Sequence, residues 1–487
     1  MTQYRHIMRP AGLAALCVAS LVFNVAQADS PRPEAARIAA AMEMTPGEQN
    51  PYEGNPGGKA TLRGGFAPER AFAMPLPGLD DARAMDFVLG EAMFQKFWVQ
   101  SPSSTRASDG LGPLYNARSC AMCHPGNGRG AAPQGDGPLP VSLLIRLSVP
   151  GGDSHGIKDY LATLPDPEFG GQVQTDAITG ASPEGQPSVR YQEQIVDGVA
   201  LRRPDYDPGM ALSDATMLSP RLAPALLGMG LIDAIRPEDI LALADPDDAD
   251  GDGISGRANI VPSRDTGQPT LGRYGWKAGN ATLRDQVADA FAHDIGISSP
   301  LFPEPWGDCT AAQDACHTAP HGDRDAREFE LDATGLDLTT AYVAGLAVPQ
   351  RRAPQAVIEG RDLFMDLGCA ACHQPAFVTE RRADDPLRSF QMIWPYSDFL
   401  LHDMGPDLAD HRPEHRATGR EWRTPPLWGM GRTKQVSGTE YFLHDGRARS
   451  IREAIWWHGG EALPARNRFR QLDATDRDAL IAFLESL

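Results

Sequence analysis

The chain has 487 residues, of which 41% are hydrophobic and 22% are charged, and its formal net charge at pH 7 is −19. This length excludes a single small module, because one hydrophobic core stops growing at about 250–300 residues. The acidic balance disfavours nucleic-acid binding, which needs clustered positive charge. The 49 glycines and 42 prolines indicate much irregular, loop-rich structure.

The first 28 residues have the pattern of a secretory signal peptide. Arg5 and Arg9 precede an apolar run, and Ala26-Gln27-Ala28 is a small-x-small cleavage site. The alternative is an uncleaved anchor, but the run of about 15 apolar residues is shorter than the ~20 that span a bilayer. We therefore expect residues 1–28 to be removed and the mature protein to be periplasmic and soluble, without a membrane span.

The next segments change character along the chain. Residues 29–78 are rich in Pro and Gly and predict an extended arm with a short helix from about Pro33 to Met44. A helical pattern begins near Leu79 and leads to a first cysteine cluster. Over residues 140–206, short apolar runs alternate with Gly-rich turns, which predicts a β-rich insertion. A further helix is expected at about 336–347.

Two pentapeptides have the C-x-x-C-H pattern. They are Cys120-Ala-Met-Cys123-His124 and Cys369-Ala-Ala-Cys372-His373. This spacing places two thiols on one turn of chain, where they can add to the two vinyl groups of one haem while the histidine binds its iron. The alternatives, a four-cysteine zinc site or two disulfides, do not need a histidine after each pair. We therefore predict two covalently bound c-type haems, with His124 and His373 as iron ligands.

The two motifs divide the chain into two haem regions. We expect a mainly α fold with two cytochrome c-type haem domains, the first having the β-rich insertion and long loops. After the arm, the predicted divisions are a first haem domain at 79–300, a linker at 301–353 and a second haem domain at 354–487. In the linker, Cys309 and Cys316 most simply form a disulfide in an oxidising compartment.

An acidic loop at residues 245–259 copies the first half of an EF-hand. Asp248, Asp250 and Asp252 occupy positions one, three and five, and a glycine follows at position six. Position twelve is Asn259 where an EF-hand has a bidentate Glu. The pattern predicts a calcium site formed by the three aspartates, and a solvated acidic turn is the alternative.

Further distinctive segments accompany the two motifs. They are Leu111–Cys120, Asp252–Arg257, Arg273–Ala278, Leu401–Gly405, Trp422–Trp428, Leu443–Arg447 and His458–Glu461. With these segments the chain resembles the bacterial dihaem cytochrome c peroxidase superfamily, and more closely its dihaem oxidoreductase, or thiol oxidoreductase, branch. The closer resemblance covers about residues 79–487.

The resemblance implies roles for two residues near the first haem. Those peroxidases place a tryptophan between the haems, followed seven and ten positions later by Leu and Gln, and Trp276, Leu283 and Gln286 reproduce this spacing. Trp276 is therefore expected to shorten the path of electron transfer, and a purely packing role is the alternative. An acidic residue followed by an apolar residue and Gly supplies the acid-base group, and Asp294 begins the nearest match, with Asp where the family has Glu.

The resemblance also implies the remaining iron ligands. The sixth ligand of the second haem lies fourteen residues after the His of a His-Asp-Gly turn, and counting from His444 reaches His458, where the peroxidases use Met. Met404 is the other candidate. For the first haem, the expected distal histidine is missing; either His155 supplies it or the iron is open, and we favour the open site because peroxide chemistry needs it.

These features together favour a periplasmic redox enzyme of peroxidase type. Electrons would pass from the second haem, near Trp276, to the first, and the acidic surface suits a basic small redox protein as electron donor. Peroxide or another small oxidant is the expected substrate. The resemblance leaves two alternatives open: an electron carrier without a substrate, and a high-valent haem enzyme that modifies a protein.

Overall fold

Short helices alternate with short strands throughout the described part of the chain, residues 34–322 and 328–487 of a computed structural model. The predicted signal peptide, residues 1–28, lies outside the described residues. The α-helices of the described part are α1 (Glu34–Met42), α2 (Asp81–Gln95), α3 (Cys120–Cys123), α4 (Met229–Asp233), α5 (Pro237–Leu241), α6 (Leu283–Ala290), α7 (Asp314–His317), α8 (Ala333–Ala344), α9 (Ile358–Asp366), α10 (Thr433–Ser437), α11 (Ile451–Trp457), α12 (Leu463–Gln471) and α13 (Ala474–Ser486).

The strands of the same residues are mostly two or three residues long. They are β1 (Thr61–Leu62), β2 (Val99–Gln100), β3 (Asp109–Leu111), β4 (Leu114–Tyr115), β5 (Gly137–Pro138), β6 (Leu143–Pro150), β7 (Thr163–Leu164), β8 (Asp176–Ala177), β9 (Ser188–Val196), β10 (Val199–Asp207), β11 (Met217–Leu222), β12 (Ile260–Pro262), β13 (Pro269–Leu271), β14 (Val348–Pro349), β15 (Phe377–Val378), β16 (Met392–Ile393), β17 (Leu401–Asp403) and β18 (Glu421–Arg423).

Two three-stranded sheets contain the longest strands. In the first, β9 and β10 form an antiparallel hairpin and β5 pairs with the other edge of β9. In the second, β6 lies between β11 and β7, and Leu143 pairs with Leu222. The inner side chains of β6, including Ile145 and Leu147, are buried, as the alternation of a half-buried strand requires.

The expectation of a mainly α fold is wrong. Helices make up 30% of the chain and strands 18%, and the strands form many small sheets. Part of the strand content lies in residues 143–207, and much of the rest is in strands of two or three residues, some of which pair with distant segments, as β1 does with β14. An alternation of two residues cannot be recognised in a sequence, because a strand signal needs about four to eight residues.

Packing of α2 against α8 positions the first C-x-x-C-H motif. The two helices approach so closely at Gly90 that a Cβ there would lie 2.1 Å from the carbonyl oxygen of Leu338. The contact aligns Phe94 with Tyr342, with 5.2 Å between the ring centroids, and the Phe94 ring is in turn 6.4 Å from the ring of His124. The helix pair therefore forms one wall against which the first motif packs.

A second helix pair, α9 and α13, does the same for the second motif. A Cβ at Gly360 would lie 2.0 Å from the carbonyl oxygen of Ala479, so this position requires glycine for the close approach. Phe364 on α9 packs against Phe483 on α13 at 5.3 Å, and its ring is 6.2 Å from that of His373. Each motif thus rests on a helix crossing rich in aromatic side chains.

Two large hydrophobic cores correspond to the two motifs. Cys120 packs against the larger core, which contains Phe72 and Tyr342, and Cys369 packs against the smaller one, which contains Phe364 and Trp456. The larger core also takes in side chains from the C-terminal part of the chain, including Trp428. The cores are therefore not separated at one point in the sequence.

The segment before α2 is anchored to the C-terminal half by a buried ion cluster. Glu53, 1% exposed, bonds to Arg351 and lies 3.5 Å from Nη1 of Arg361, and the hydroxyl of Tyr396 donates to it at 2.8 Å. Because burying charges is costly unless they are paired, this cluster fixes the path of the segment.

Residues 42–487 form one compact unit, and residues 34–41 belong to a separate one. Cys309 and Cys316 form the expected disulfide. In the described ranges, no helix combines the length and the apolar character needed to cross a membrane.

Candidate functional site

Both C-x-x-C-H motifs line one large cavity. Its volume is 970 Å³, at the upper end of the range of ligand pockets, and its wall includes Cys120, Cys123, Cys369 and Cys372. None of these four cysteines forms a disulfide. Burial raises the pKa of Cys120 and of Cys369 to about 12, so both are neutral thiols at pH 7.

The histidine of the first motif is oriented by its own backbone surroundings. Nδ1 of His124 donates a hydrogen bond to the carbonyl oxygen of Pro224 at 2.8 Å. Burial lowers the pKa of His124 to about 4, so the ring is neutral and Nε2 keeps its lone pair. A histidine fixed through one nitrogen and free at the other is the arrangement that metal-ligating histidines adopt.

The second motif repeats this arrangement twice. Nδ1 of His373 donates to the carbonyl oxygen of Tyr396 at 3.0 Å, and Nδ1 of His458 donates to that of Ala454 at 2.7 Å. Burial lowers the pKa of His373 to about 4. Burial likewise lowers the pKa of His458. The two neutral histidines lie close together on the cavity wall, each with Nε2 available.

Met404, the other candidate ligand, also lines the cavity. It is partly buried against the smaller core, and Met404 and His458 are both on the wall near the second motif. The hydrogen bond to Ala454 gives His458 the tautomer that a metal ligand needs, and this favours His458 as the sixth ligand.

Buried donors on the cavity wall lack acceptors within the protein. They include Nε of Arg129, Nε1 of Trp428 and Nε of Arg466. Native proteins rarely leave such donors unpaired, so the cavity suits a large apolar group that carries acceptor oxygens. Haem, with its apolar ring and two propionates, has this chemistry, and the residues present fit it.

Three aromatic side chains of the cavity wall, Trp276, Trp422 and His444, are linked to one another. Nε1 of Trp276 donates to the carbonyl oxygen of Leu222 at 2.7 Å, and the N–H of Leu222 donates to the carbonyl oxygen of His444 at 2.7 Å. The ring of His444 stacks on Trp422, with 3.7 Å between centroids. Trp276 is thus connected through one residue to a stacked aromatic pair of the C-terminal half.

A polar cluster lies near the thiols of the first motif and is formed by Arg146, Gln172, Asp289, His293 and Asp294. Oδ1 of Asp294 accepts a hydrogen bond from Nε2 of Gln172 at 3.1 Å. Burial raises the pKa of Asp294, against the opposing effect of Arg146. The carboxylate is near enough to the first motif to raise the pKa of its thiols.

Within this polar cluster, His293 is a cation at neutral pH. Nδ1 of His293 lies 2.9 Å from Oδ1 of Asp289. The other oxygen of this carboxylate, Oδ2, is 3.4 Å from Nη2 of Arg146. Burial alone would lower the pKa of His293, but Asp289 raises it to about 9. Both residues 293 and 294 belong to a single π-helical turn, Phe291–Ile295, and such turns are frequent at functional sites.

Comparison with known proteins identifies the family of the chain. The family model described as "Di-haem oxidoreductase, putative peroxidase" matches residues 53–184 and 209–487, most of the chain. The chain belongs to this family. Membership supports haem as the cofactor of the cavity and oxidoreduction as the type of reaction.

Two other similarities are slight. A stretch of 107 residues is 29% identical to outer membrane protein assembly factor BamC of Ferrimonas balearica, and it spans 22% of this chain but only 28% of BamC. The chain is also similar to a structure of Kuenenia stuttgartiensis hydrazine synthase pressurised with xenon, at 16% identity. The similarity covers 54% of this chain and 87% of the hydrazine synthase chain. Its TM-score of 0.22 is too low to support any argument.

In this di-haem oxidoreductase, the acidic loop brings together a different set of carboxylates from the one expected. Within the described residues, Asp245, Asp248 and Asp250 form the group whose oxygens lie within 4.8 Å of one another. The carboxylate of Asp252 instead accepts from the N–H of Ile254 at 2.8 Å. Asp245 precedes the EF-hand-like positions, so the motif gave no reason to select it.

The acidic loop is also tied to the second motif. The hydroxyl of Ser255 donates to Oε1 of Glu461 at 2.7 Å, and Oε2 of Glu461 lies 2.8 Å from Nδ1 of His402. His402 in turn is 3.5 Å from the sulfur of Cys372. A chain of polar contacts therefore runs from the loop to the second cysteine pair.

His155 is placed at the surface. Its side chain is 50% exposed, its Nε2 is 3.1 Å from Oδ1 of Asp153, and it is not part of the cavity wall. This position favours the expectation that the first iron site is open. The polar residues Arg146, Gln172 and Asp289 were not predicted, because they come from a strand, a connecting segment and a helix that only the fold brings together.

Proposed function

We propose that this chain is an exported, periplasmic dihaem c-type cytochrome that acts as a peroxidase-like oxidoreductase. The proposal depends on one observation: the residues of the cavity wall near the first motif differ from those near the second. At the second motif, His373 is accompanied by His458, a second neutral histidine with a free Nε2. At the first motif, the wall carries the acid-base residues His293 and Asp294 instead.

Covalent attachment would use the four cysteines of the motifs. Each pair lies on one turn, Cys120–Cys123 in α3 and Cys369 in a 3-10 turn three residues before Cys372. All four are free thiols lining the cavity. Thiols in this position are those that add to the vinyl groups of a c-type haem.

When bound, the two haems supply one-electron redox chemistry. Reduction of one hydrogen peroxide consumes two electrons and two protons and yields two waters. Asp294 can move the proton that O–O cleavage requires: Gln172 holds Oδ1, which leaves Oδ2 to take a proton from one peroxide oxygen and give it to the other. Burial raises the pKa of Asp294, which makes the carboxylate a better proton acceptor than an exposed aspartate.

Electrons would enter at the second haem and pass near Trp276 to the first. Trp276 is buried and joined to the C-terminal half by Leu222. The donor is expected to be a small basic redox protein, since the net charge of −19 favours its approach.

Calcium at the acidic loop is a further part of the proposal. Asp248 and Asp250, together with Asp245, would provide the oxygen ligands that calcium prefers. Isothermal titration of the purified protein with calcium tests it. Binding that Asp248→Asn and Asp250→Asn abolish supports the site, and unchanged binding in both variants rejects it.

Haem content and peroxide reactivity test the main proposal. After acid-acetone extraction, the pyridine haemochrome assay should find two haems on each polypeptide recovered from the periplasmic fraction. The reduced protein should then be mixed with hydrogen peroxide in a stopped-flow instrument. Fewer than two covalent haems would reject the dihaem c-type assignment, and two haems without peroxide reactivity beyond that of free haem would favour an electron carrier or a protein-modifying enzyme.

A further inference from the structure

Arg129 is a cation on the cavity wall that has no carboxylate partner among the described residues. Its Nη2 donates to the carbonyl oxygen of Leu443 at 2.7 Å, but its Nε is buried and has no acceptor. Burial lowers the pKa of Arg129 to about 10, and the only opposing influence is the charge of Asp445. Removing a guanidinium from water without a counter-charge is unfavourable.

Other arginines of the cavity wall have acceptors within the described part of the chain. Arg221 is 3.2 Å from Glu414, and Arg146 pairs with Asp289. Arg273 and Arg423 donate to backbone carbonyl oxygens instead. Nε of Arg129 has neither kind of acceptor, and this indicates that its acceptor comes with a bound group.

Arg129 also has a distinctive position. It follows His124 by five residues, and its guanidinium carbon lies 5.2 Å from the centre of the Trp276 ring. Its hydrogen bond to Leu443 places it next to His444 of the C-terminal half. The guanidinium is therefore where the first motif, the tryptophan and the second half of the chain meet.

We propose that Arg129 binds a propionate carboxylate of one of the two haems through its Nε–H. This inference rests on the proposed function only in requiring that both haems are bound. An arginine N–H and a carboxylate form a strong charge-assisted hydrogen bond, and the acceptor would satisfy the orphaned Nε. Arg129 is then a positioning residue, which fixes the edge of one haem relative to Trp276.

A propionate that neutralises the charge of Arg129 would also affect Trp276. A bare cation 5.2 Å from an indole opposes any positive charge that develops on the ring during electron transfer. A propionate on Arg129 offsets that cation. The same contact therefore holds the haem and makes the tryptophan more suitable as an intermediate between the two haems.

The test is a spectroelectrochemical titration of the two-haem protein, combined with resonance Raman spectra of the haem propionate bending modes. Replacing Arg129 by Gln removes a positive charge that favours the reduced, less positive iron. We expect the midpoint potential of one haem to fall by an amount equal to at least a tenfold change in its oxidised-to-reduced ratio, about 59 mV for one electron. The propionate mode of the same haem should shift, and the haem that responds is the one whose propionate is bound.

Two further variants complete the test. Arg118→Gln removes a cation two residues before Cys120 that does not line the cavity, and both readouts should stay at wild-type values. Arg129→Lys keeps the charge but lacks the Nε–H, so the potential should move less while the propionate mode still shifts. If the Arg129→Gln protein does not accumulate, the test uses Arg129→Lys alone: a shifted propionate mode supports the contact, and an unchanged mode overturns it.

The outcomes separate this inference from the proposed function. A wild-type protein with fewer than two haems contradicts the proposed function. A wild type with two haems, together with Arg129 variants whose potentials and propionate modes are unchanged, overturns the role of Arg129 and leaves the proposed function intact.

Discussion

The ring of Trp422 lies parallel to that of His444, with 11° between the planes and 3.7 Å between the centroids. The indole also donates to the carbonyl oxygen of Leu408 at 2.9 Å, and Nζ of Lys277 lies 4.6 Å from its centre. The Trp422 side chain thus contacts both the His-Asp-Gly turn and the buried cation of Lys277.

Truncating Trp422 should therefore be costly. Trp422→Ala is expected to lower the free energy of unfolding by about 3–5 kcal/mol, the usual loss for a buried aromatic residue. Trp422→Phe keeps a ring on His444 and should lose less. Guanidinium denaturation followed by circular dichroism measures both, with Leu241→Ala on the surface as the control. Equal losses for Ala and Phe would mean that stacking contributes nothing.

His458 is predicted to be the sixth ligand of the second haem. Its Nδ1 bond to Ala454 leaves Nε2 for the iron. His458→Gly should convert one low-spin haem to high spin in the electronic and EPR spectra, while Met404→Ala should not. The reverse pattern, with conversion only in the Met404 variant, would assign the ligand to Met404.

Asp294 is predicted to be the proton-transfer group at the first haem. Asp294→Asn is close in shape but cannot carry a proton, so peroxide reduction should slow by about 10²–10⁴-fold. Haem content and the potential of the second haem should not change. Stopped-flow mixing with peroxide measures the rate. If the Asn variant reacts as fast as the wild type, the proton passes through another group, and His293 is then the residue to replace.

His293 should make stability depend on pH in a defined window. Asp289 raises its pKa in the folded protein to about 9, above the ordinary value of 6.5. The protonated histidine therefore contributes its full stability below pH 6.5, and this contribution is lost as the pH rises through 9. Its size is of the order of 3 kcal/mol, since each pKa unit is worth about 1.36 kcal/mol.

The measurement for His293 is the difference in unfolding free energy between wild type and His293→Gln at a series of pH values. That difference should be largest below pH 6.5 and shrink towards pH 9. A difference that stays constant from pH 6 to pH 9 would show that the pKa of His293 is not raised.

The sequence motifs identified the di-haem oxidoreductase family correctly, but the fold class predicted from the sequence was wrong. The position of Cys120 and His124 is encoded in five consecutive residues, and family membership supports the haem chemistry that this pattern indicates. The mainly α prediction failed because strands such as β1 and β14 are two residues long and pair although Thr61 and Val348 are far apart in the sequence. Local periodicity carries no information about such pairings.

The missed residues of the site have a similar explanation. Arg146 and Asp289 are separated by more than a hundred positions and meet only after β6 has packed beside α6. Arg129 lies outside the C-x-x-C-H motif, and its unpaired Nε and its contact with Trp276 become apparent only in the folded chain. Asp245 joins the acidic loop through folding of the turn and not through the EF-hand spacing. Local motifs identify residues whose chemistry is set by their neighbours in the chain, whereas these residues depend on tertiary contacts.

The buried Glu53 cluster limits how the protein can be divided. A fragment of residues 354–487 alone would contain Arg361 and Tyr396 without the carboxylate that they contact in the whole chain. In such a fragment Arg361 would keep its contact with Asp362, but it would lose Glu53, and the buried hydroxyl of Tyr396 would lose its acceptor. A buried polar group left without its partner typically costs about 1–3 kcal/mol. We therefore expect a fragment that begins at residue 354 to be less stable than the same region of the whole chain, and co-expression with a piece that contains Glu53 to be needed for its full stability.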